Sequence, residues 1–422
     1  MTHPSLPAST QPNSSGSGNA HIVPGARAVL PKAAPASAKI MLKVLAQLRH
    51  GALLLTLPDG TCLHYGDHSF PANLVLKNWN LFTATLRSGD IGFAETYIAG
   101  DWITPDLTGL IELLIRNRPA LETLVYGSWI GGLVYRIKHW LNRNNKSGSR
   151  KNIHAHYDIG NDFYRLWLDP SMTYSSALFP PENRQDLHAA QLGKYRRILA
   201  QLQVQAGQTV LEIGCGWGGF AELAARESSV RVHGLTLSEQ QLNYAQKRML
   251  DADLSEHVDL RLCDYRDSHG QYDAIASIEM FEAVGEQYWA SYFATLARNL
   301  KPQGRACIQP IVIHDDLFER YRTGTDFIQQ YIFPGGMLPS PGRFRSLAQQ
   351  YGFAVENEFC FGIDYADTLV AWRQAFHDKL DQVRAQAYDQ RFIHTWEFYL
   401  CYCEAAFRAG NTDVMHFTLL KK

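Results

Sequence analysis

From about residue 186 to residue 309, short apolar stretches alternate with longer amphipathic ones. Residues 186–203 carry apolar side chains at helical spacing and lead into Val210, Leu211 and Ile213, a short buried-strand pattern. Residues 220–226 return to helical spacing. A second strand at 230–235 precedes a helix at 238–250, for which Ser238 is the expected N-cap. Strands at 258–262, 272–277 and 304–309 follow, with a helix at 288–300 before the last. Strand–helix alternation of this kind predicts a doubly wound, mostly parallel α/β sheet. Ligands of such sheets bind beyond the carboxyl ends of the strands. Those ends are Gly214 to Gly218, Thr236, Asp264 and Tyr265, Glu279 to Glu282, and Gln309 to Ile311.

The flanks have other patterns. Residues 1–38 are rich in Pro, Ser, Ala, Asn and Gly, and are expected to be a disordered tail. Residues 39–141 predict a small α+β domain: a helix at 40–48, a hairpin of 52–57 and 61–65 around Pro58-Asp59-Gly60, a strand at 73–78, and helices at 79–87 and 107–116. Residues 121–141 read as an apolar helix with Trp129 and Trp140, and a basic run (Arg136, Lys138, Arg143, Lys146, Arg150, Lys151) overlaps and follows it. Either an anionic phospholipid surface or a packed helix with a solvated linker at 142–151 accounts for this stretch. The remainder, 152–422, is expected to be one catalytic domain. Within it, 311–341 is rich in aromatic residues, as suits a lid over an apolar substrate or ordinary core. A helix is expected at 162–168, a strand at 353–359, a turn holding Tyr365, and helices at 373–388 and 392–408.

The candidate chemistry centres on residues 210–220, V-L-E-I-G-C-G-W-G-G-F. Gly214, Gly216 and Gly218 after a strand let a nucleotide approach the backbone, a signal shared by NAD, FAD and S-adenosylmethionine (SAM) sites. No GKS or GKT run follows, which excludes a P-loop. Strand two ends in Thr236 rather than an acid, against NAD, and Glu212 offers a carboxylate environment for the cationic amino group of SAM. Thr236 and Gln241 suit ribose hydroxyls, Asp264 the adenine amine and Tyr265 the adenine face. Glu279 and Glu282 are two carboxylates in an apolar setting, where burial is expected to raise at least one pKa, as a proton acceptor near neutral pH would require, unless they merely start a solvated helix.

Composition narrows the classes. With 46% hydrophobic and 19% charged residues and a net charge of -1, the chain is globular and has no overall nucleic-acid footprint. Seven cysteines without a CxxC pair suit reduced thiols in the cytoplasm. His154 and His156 lack a third partner at metal-ligand spacing, so no metal is expected. Neither a secretory signal nor a run long enough to span a bilayer is visible, so membrane contact would be peripheral.

Several stretches together resemble the cyclopropane-fatty-acyl-phospholipid synthase family: HYDIGNDF at 156–163, YSSA at 174–177, 211–219, MFEAVG at 280–285, 331–340 and AFRA at 405–408. The resemblance implies a class I SAM-dependent methyltransferase (Rossmann-like) domain with a lid insertion behind the small domain. It implies methylene addition across a cis double bond of a phospholipid acyl chain, at the inner face of the membrane, by an enzyme that is often a homodimer and whose small domain, here 39–141, aids lipid engagement. By motif, Tyr174, Ser175, Gly214, Gly216, Thr236, Gln241 and Tyr265 fall on SAM-contacting positions. Glu282, Tyr365 and the Ile311 backbone fall on positions that hold a bicarbonate, the base of the family. Three positions of that shell depart: Ser176 replaces cysteine, Glu279 replaces glycine and Gln309 replaces histidine. Glu279 is therefore expected to replace bicarbonate as the base, and a methyl or methylene branch becomes an alternative product to the ring. The other readings are SAM-dependent methylation of a small molecule and a non-catalytic lipid-binding protein.

Overall fold

The computed structural model describes residues 22–24, 34–67, 71–125 and 159–422. The 126–151 part of the apolar-to-basic stretch, together with His154 and His156, lies outside them. So does most of the expected tail. Within that tail, however, Ile22–Pro24 (β1) forms an edge strand, parallel to β3 (Cys62–Gly66). Two apolar, β-branched residues meeting an unpaired sheet edge override the polar composition around them.

The small domain forms as the pattern indicates. β2 (Ala52–Thr56) pairs antiparallel with β3 through the Pro58-Asp59-Gly60 turn, where Gly60 has φ +86°. β4 (Pro71–Leu76) runs parallel to β2, and β5 (Trp102–Ile103) closes the sheet. Helices Ala36–Leu45, Asn80–Ser88, Asp90–Ile98 and Leu107–Arg116 accompany it.

In the catalytic part, β6 (Thr209–Ile213), β7 (Arg231–Thr236), β8 (Val258–Leu262), β9 (Tyr272–Ile278) and β10 (Leu300–Gln309) are parallel, in the order β8-β7-β6-β9-β10. The chain moves outward from β6 to β8 and then returns to β9 on the other side of β6. The crevice at this reversal is where such sheets hold ligands. β11 (Ile311–Ile313) continues the β10 edge after Pro310, and β12 (Phe353–Cys360) lies farther out. Between them runs β13 (Thr412–Lys421), antiparallel to all three. The sequence pattern does not reveal β13. Residues 414–419 are all buried, so the alternation of a half-exposed strand is missing.

Three expectations about helices change, one being the helix expected at 373–388, which is divided between Gly362–Asp378 and Leu380–Ala385. Residues 162–168 form only a single helical turn, Asn161–Tyr164, before the chain bends. Tyr365 lies not in a turn but in the first helical turn of Gly362–Asp378, which starts at Gly362 because Asp413 accepts its amide hydrogen at 2.7 Å.

Helix Gln390–Arg408 joins the two parts into one core. It packs on Gly362–Asp378 and on the small-domain helices Asp90–Ile98 and Leu107–Arg116. Phe398 is fully buried, with ring centroids 6.0 Å from Phe93, 5.7 Å from Tyr97 and 4.8 Å from Phe327. Polar contacts cross the same seam: Tyr402 donates to Asp90 at 2.8 Å, Tyr97 to Glu397 at 2.8 Å and Thr108 to Glu404 at 2.9 Å. Among the described residues, no helix is long and apolar enough to cross a membrane.

Removing the Phe398 ring should cost ~3–5 kcal/mol, the range for large-to-small core changes. Because that ring serves both parts, calorimetry of Phe398→Ala is expected to show two unfolding transitions where the parent shows one.

Candidate active site

The β6 turn is built for close approach. The amides of Gly214 and Cys215 both donate to the Leu235 carbonyl at 2.9 Å. Gly214 has φ +89°, and a Cβ there would come within 3.0 Å of Met280. A cavity of about 160 Å³ opens beside it, walled by Tyr174, Ser175, Glu212, Gly214, Gly216, Thr236, Gln241, Tyr265 and Glu279, among others.

Two residues assigned to the cofactor from sequence do not line this cavity. Asp264 is held by Arg266, whose guanidinium lies 2.5 Å away, and it also accepts the Arg266 amide at 3.0 Å. Its carboxylate caps the turn Tyr265–Asp267, while the Arg266 side chain reaches the cavity wall. Gly218 (φ +82°) serves packing, since a Cβ there would sit 3.1 Å from the Ala245 Cβ. Thr236 donates to Gln241 at 3.0 Å, so those two polar side chains are pre-set against each other.

Glu212 is 2% exposed, and its Oε2 has no hydrogen-bond partner within the protein. Burial pushes its pKa up to about 8, opposed by Lys194. A buried, unsatisfied carboxylate on the cavity wall fits the cationic amino acid end of SAM, and the open glycine turn fits its nucleoside.

Lys194 itself is not apparent from motifs. It is fully buried on helix Leu187–Leu202, and its Nζ donates to Ser175 Oγ at 2.5 Å. Gln191, one turn earlier, donates to the Ser175 carbonyl at 2.8 Å. Ammonium groups only donate, so Ser175 Oγ must accept, and its own proton is left to point elsewhere. Burial pulls the Lys194 pKa down, opposed by the charges of Glu279, Asp169 and Glu212. The available signal was its place on the helical stripe of Ala190, Gln191 and Ile198, all buried.

Glu279 stands just beyond β9 with φ +47°, a left-handed conformation that suits glycine better than glutamate. Its Oε1 accepts the Ser176 amide at 2.8 Å and Gln309 Nε2 at 2.8 Å, and its Oε2 accepts the Tyr365 hydroxyl at 2.6 Å. The Ser176 hydroxyl turns away to the Ala177 carbonyl, so the peptide rather than the side chain contributes. Gln309 is oriented by His416 on β13, whose Nε2 lies 2.8 Å from Gln309 Oε1. Burial holds the His416 pKa well below the ordinary value, so the ring is neutral and donates from Nε2. Burial raises the Glu279 pKa, while Lys194, Tyr365, Ser176 and Gln309 oppose the shift. Glu282 accepts the Ile311 amide through Oε1, and its Oε2 has no partner within the protein. Burial and the neighbouring Glu279 raise its pKa to about 8.

A second cavity, of about 200 Å³, adjoins the first, sharing Tyr174, Glu279 and Ala283. Its other walls include Ile328, Phe333, Leu338, Leu369 and Phe407, so the 311–341 insertion does wall an apolar chamber. Part of that insertion is also core, since Phe318, Phe327 and Ile332 are buried.

The raised acids set a pH dependence. Glu212 and Glu282 hold protons up to about pH 8 when folded but only to about 4.5 when unfolded. The folded state therefore binds more protons across that window, and stability falls as pH rises. Lys194, lowered from 10.5 to about 7, has the opposite sign above pH 7. The cofactor-free protein should lose thermal stability between about pH 4.5 and 7 by this linkage. Glu212→Gln should flatten the decline, as measured by Tm against pH.

The family profile described as mycolic acid cyclopropane synthetase matches residues 144–417. The chain is 36% identical over 409 residues to the tuberculostearic acid methyltransferase UfaA1 of Mycobacterium tuberculosis, covering 92% of each. It is 35% identical over 347 residues to the cyclopropane-fatty-acyl-phospholipid synthase of Escherichia coli, covering 82% of this chain and 87% of the other. Among solved structures, mycolic acid cyclopropane synthase CmaA1 with SAH and CTAB superposes at TM-score 0.61 and 32% identity, over 64% of this chain and 98% of that one. The chain belongs to the cyclopropane synthase family and is a SAM-dependent fatty-acid C-methyltransferase.

Proposed function

We propose that this enzyme carries a methylene from SAM to a cis double bond of a phospholipid acyl chain, closing a cyclopropane ring, with Glu279 as its built-in base. The observation that carries the reading is the Glu279 carboxylate held by Ser176, Gln309 and Tyr365 where the two cavities meet. Bound SAM would supply an electrophilic methyl group to the double bond, with the electrons of the broken sulfur–methyl bond staying on the departing S-adenosylhomocysteine and a carbocation remaining on the acyl chain. The Glu279 carboxylate places negative charge beside that cation away from bulk solvent, where electrostatic stabilisation is strong. Glu279 then takes one proton from the transferred methyl, and the electrons of that C–H bond close the ring. Tyr365 and Gln309 keep the carboxylate in place, since both donate to it and neither needs its proton.

A second reading, a methylene or methyl branch, is favoured by similarity to the tuberculostearic acid methyltransferase along nearly the whole chain. A hydride shift ahead of proton loss leads from the same cation to the methylene branch, and a saturated methyl branch requires a further two-electron reduction of that methylene by a separate hydride donor. Purified enzyme, SAM and liposomes with a cis-monounsaturated chain decide between them. Upfield cyclopropane protons in the NMR spectrum mean the ring, and an olefinic methylene or branched methyl means the branch.

The role of Glu279 has its own test. Glu279→Gln should lose turnover while retaining SAM affinity. Glu279→Gly relieves the positive φ and vacates the cage, so its activity should be low without bicarbonate and rise when bicarbonate is added. Wild-type enzyme stimulated by bicarbonate would refute the assignment.

The reading places the enzyme at the cytoplasmic face of a bilayer, engaged through its basic stretch. Neutralising Arg143, Lys146, Arg150 and Lys151 together should weaken sedimentation with anionic liposomes and leave SAM affinity unchanged.

A further inference from the structure

Helix Leu187–Leu202 carries two fully buried polar side chains, Gln191 and Lys194, that no step of the proposed reaction uses. Both meet a single peptide unit. Gln191 Nε2 donates to the Ser175 carbonyl at 2.8 Å, and Lys194 Nζ donates to Ser175 Oγ at 2.5 Å. The Leu178 amide donates to the Ala190 carbonyl at 3.2 Å, which docks the helix on segment 174–178 at a third point. In a planar trans peptide the Ser175 carbonyl and the Ser176 N–H point in opposite directions. The far side of this unit faces Glu279, whose Oε1 accepts the Ser176 amide at 2.8 Å. Gln191, the peptide and Glu279 therefore form one chain of hydrogen bonds, and bonds linked in this way polarise and strengthen one another.

Packing alone does not account for these two residues. Gln191 Oε1 is buried with no partner within the protein, and the Lys194 side chain is wholly removed from water. Apolar residues of similar volume fill such positions without that electrostatic cost. Lys194 faces Asp169 from the loop ahead of its helix, Glu212 of β6 and Glu279 beyond β9. The neutral His416 of β13 is also within its electrostatic reach, and the Tyr195 ring centroid lies 4.6 Å from Nζ. We propose that Lys194 and Gln191 are positioning residues of the reaction: they fix the Ser175–Ser176 peptide so that its amide aims the Glu279 carboxylate, and the ammonium keeps that carboxylate charged. The inference rests on Glu279 being the base. Among the influences that oppose the effect of burial on Glu279, the charge of Lys194 is the largest, and Glu279 in turn holds the ammonium. The helix thus joins the wall of the cofactor cavity, which Ser175 lines, to the base.

Single-turnover rates against pH test this, with SAM preloaded and liposomes carrying a cis-monounsaturated chain. Lys194→Met keeps a similar side-chain volume and removes both the donor and the charge. Its plateau rate should fall by about 100-fold, the scale of misplacing a reacting group. The rise of rate with pH should also move upward by about one pH unit, because losing a nearby cation favours the neutral carboxyl. Gln191→Leu removes only the donor to the carbonyl, so its rate should fall with the pH profile in place. SAM affinity should be retained in both, and Tm should not fall in Lys194→Met, since apolar replacement of a buried charge is often neutral or stabilising. Where Lys194→Met does not fold, Lys194→Gln, neutral but able to donate, should show the same upward displacement. An unchanged rate, an undisplaced profile in the Lys194 variant, or a loss of SAM affinity in proportion to the loss of rate would overturn the inference. Glu279→Gln separates it from the reading on which it rests. Full activity in Glu279→Gln would remove the base itself, and the positioning with it. An inactive Glu279→Gln beside a Lys194→Met that behaves as wild type would overturn the positioning alone.

Discussion

Charge withdrawn from water is the constraint on which the rest of this structure depends. Glu212, Glu279 and Glu282 and the ammonium of Lys194 are gathered beyond the carboxyl ends of β6 and β9, away from bulk solvent. An unmatched buried charge is too costly to keep, so each is either tied down or left for a ligand to satisfy. Glu279 takes the first course, with three donors. Glu212 and one oxygen of Glu282 take the second, and their unsatisfied atoms mark where a cationic cofactor and a cationic reaction centre gain most. The same withdrawal from water raises the acids toward neutral pH, which a proton acceptor needs.

Much of this was legible in the chain. The glycine turn, the five parallel strands and the acids after β9 follow from hydrophobic period and residue type, which local sequence records well. What escaped depends on distant partners. β13 is buried on both faces and has no alternation to betray it. Lys194 and His416 act through Ser175 and Gln309, and nothing near them in sequence announces those neighbours. Asp264 illustrates the opposite case. It stands at a strand end where a ligand belongs, and Arg266, two residues on, pairs with its carboxylate. Strand-end position identifies candidates, and their local ion pairs show only in the folded chain.

The sequence of the small domain carries no obvious chemistry. Packing gives it a different standing. Phe93 and Tyr97 share the ring cluster of Phe398, and Asp90 is bonded to the helix that also lines the reaction chamber. Its influence passes through shape and through a common core rather than through a reacting group.

β13 has a consequence for the order in which the enzyme is made. The cofactor cavity draws on β6, β7 and β9, which are complete once residue 278 has been synthesised. The cage around Glu279 needs more, because Gln309 is aimed by His416 and β13 must slot between β10 and β12. Contacts so far apart in sequence form late, and chains fold broadly in the order of synthesis. A nascent chain is thus able to form the strands of its cofactor pocket before the hydrogen bonds around Glu279 are complete. The hydrogen-bonded cage of Glu279 waits for β13, far along the chain from the glycine turn.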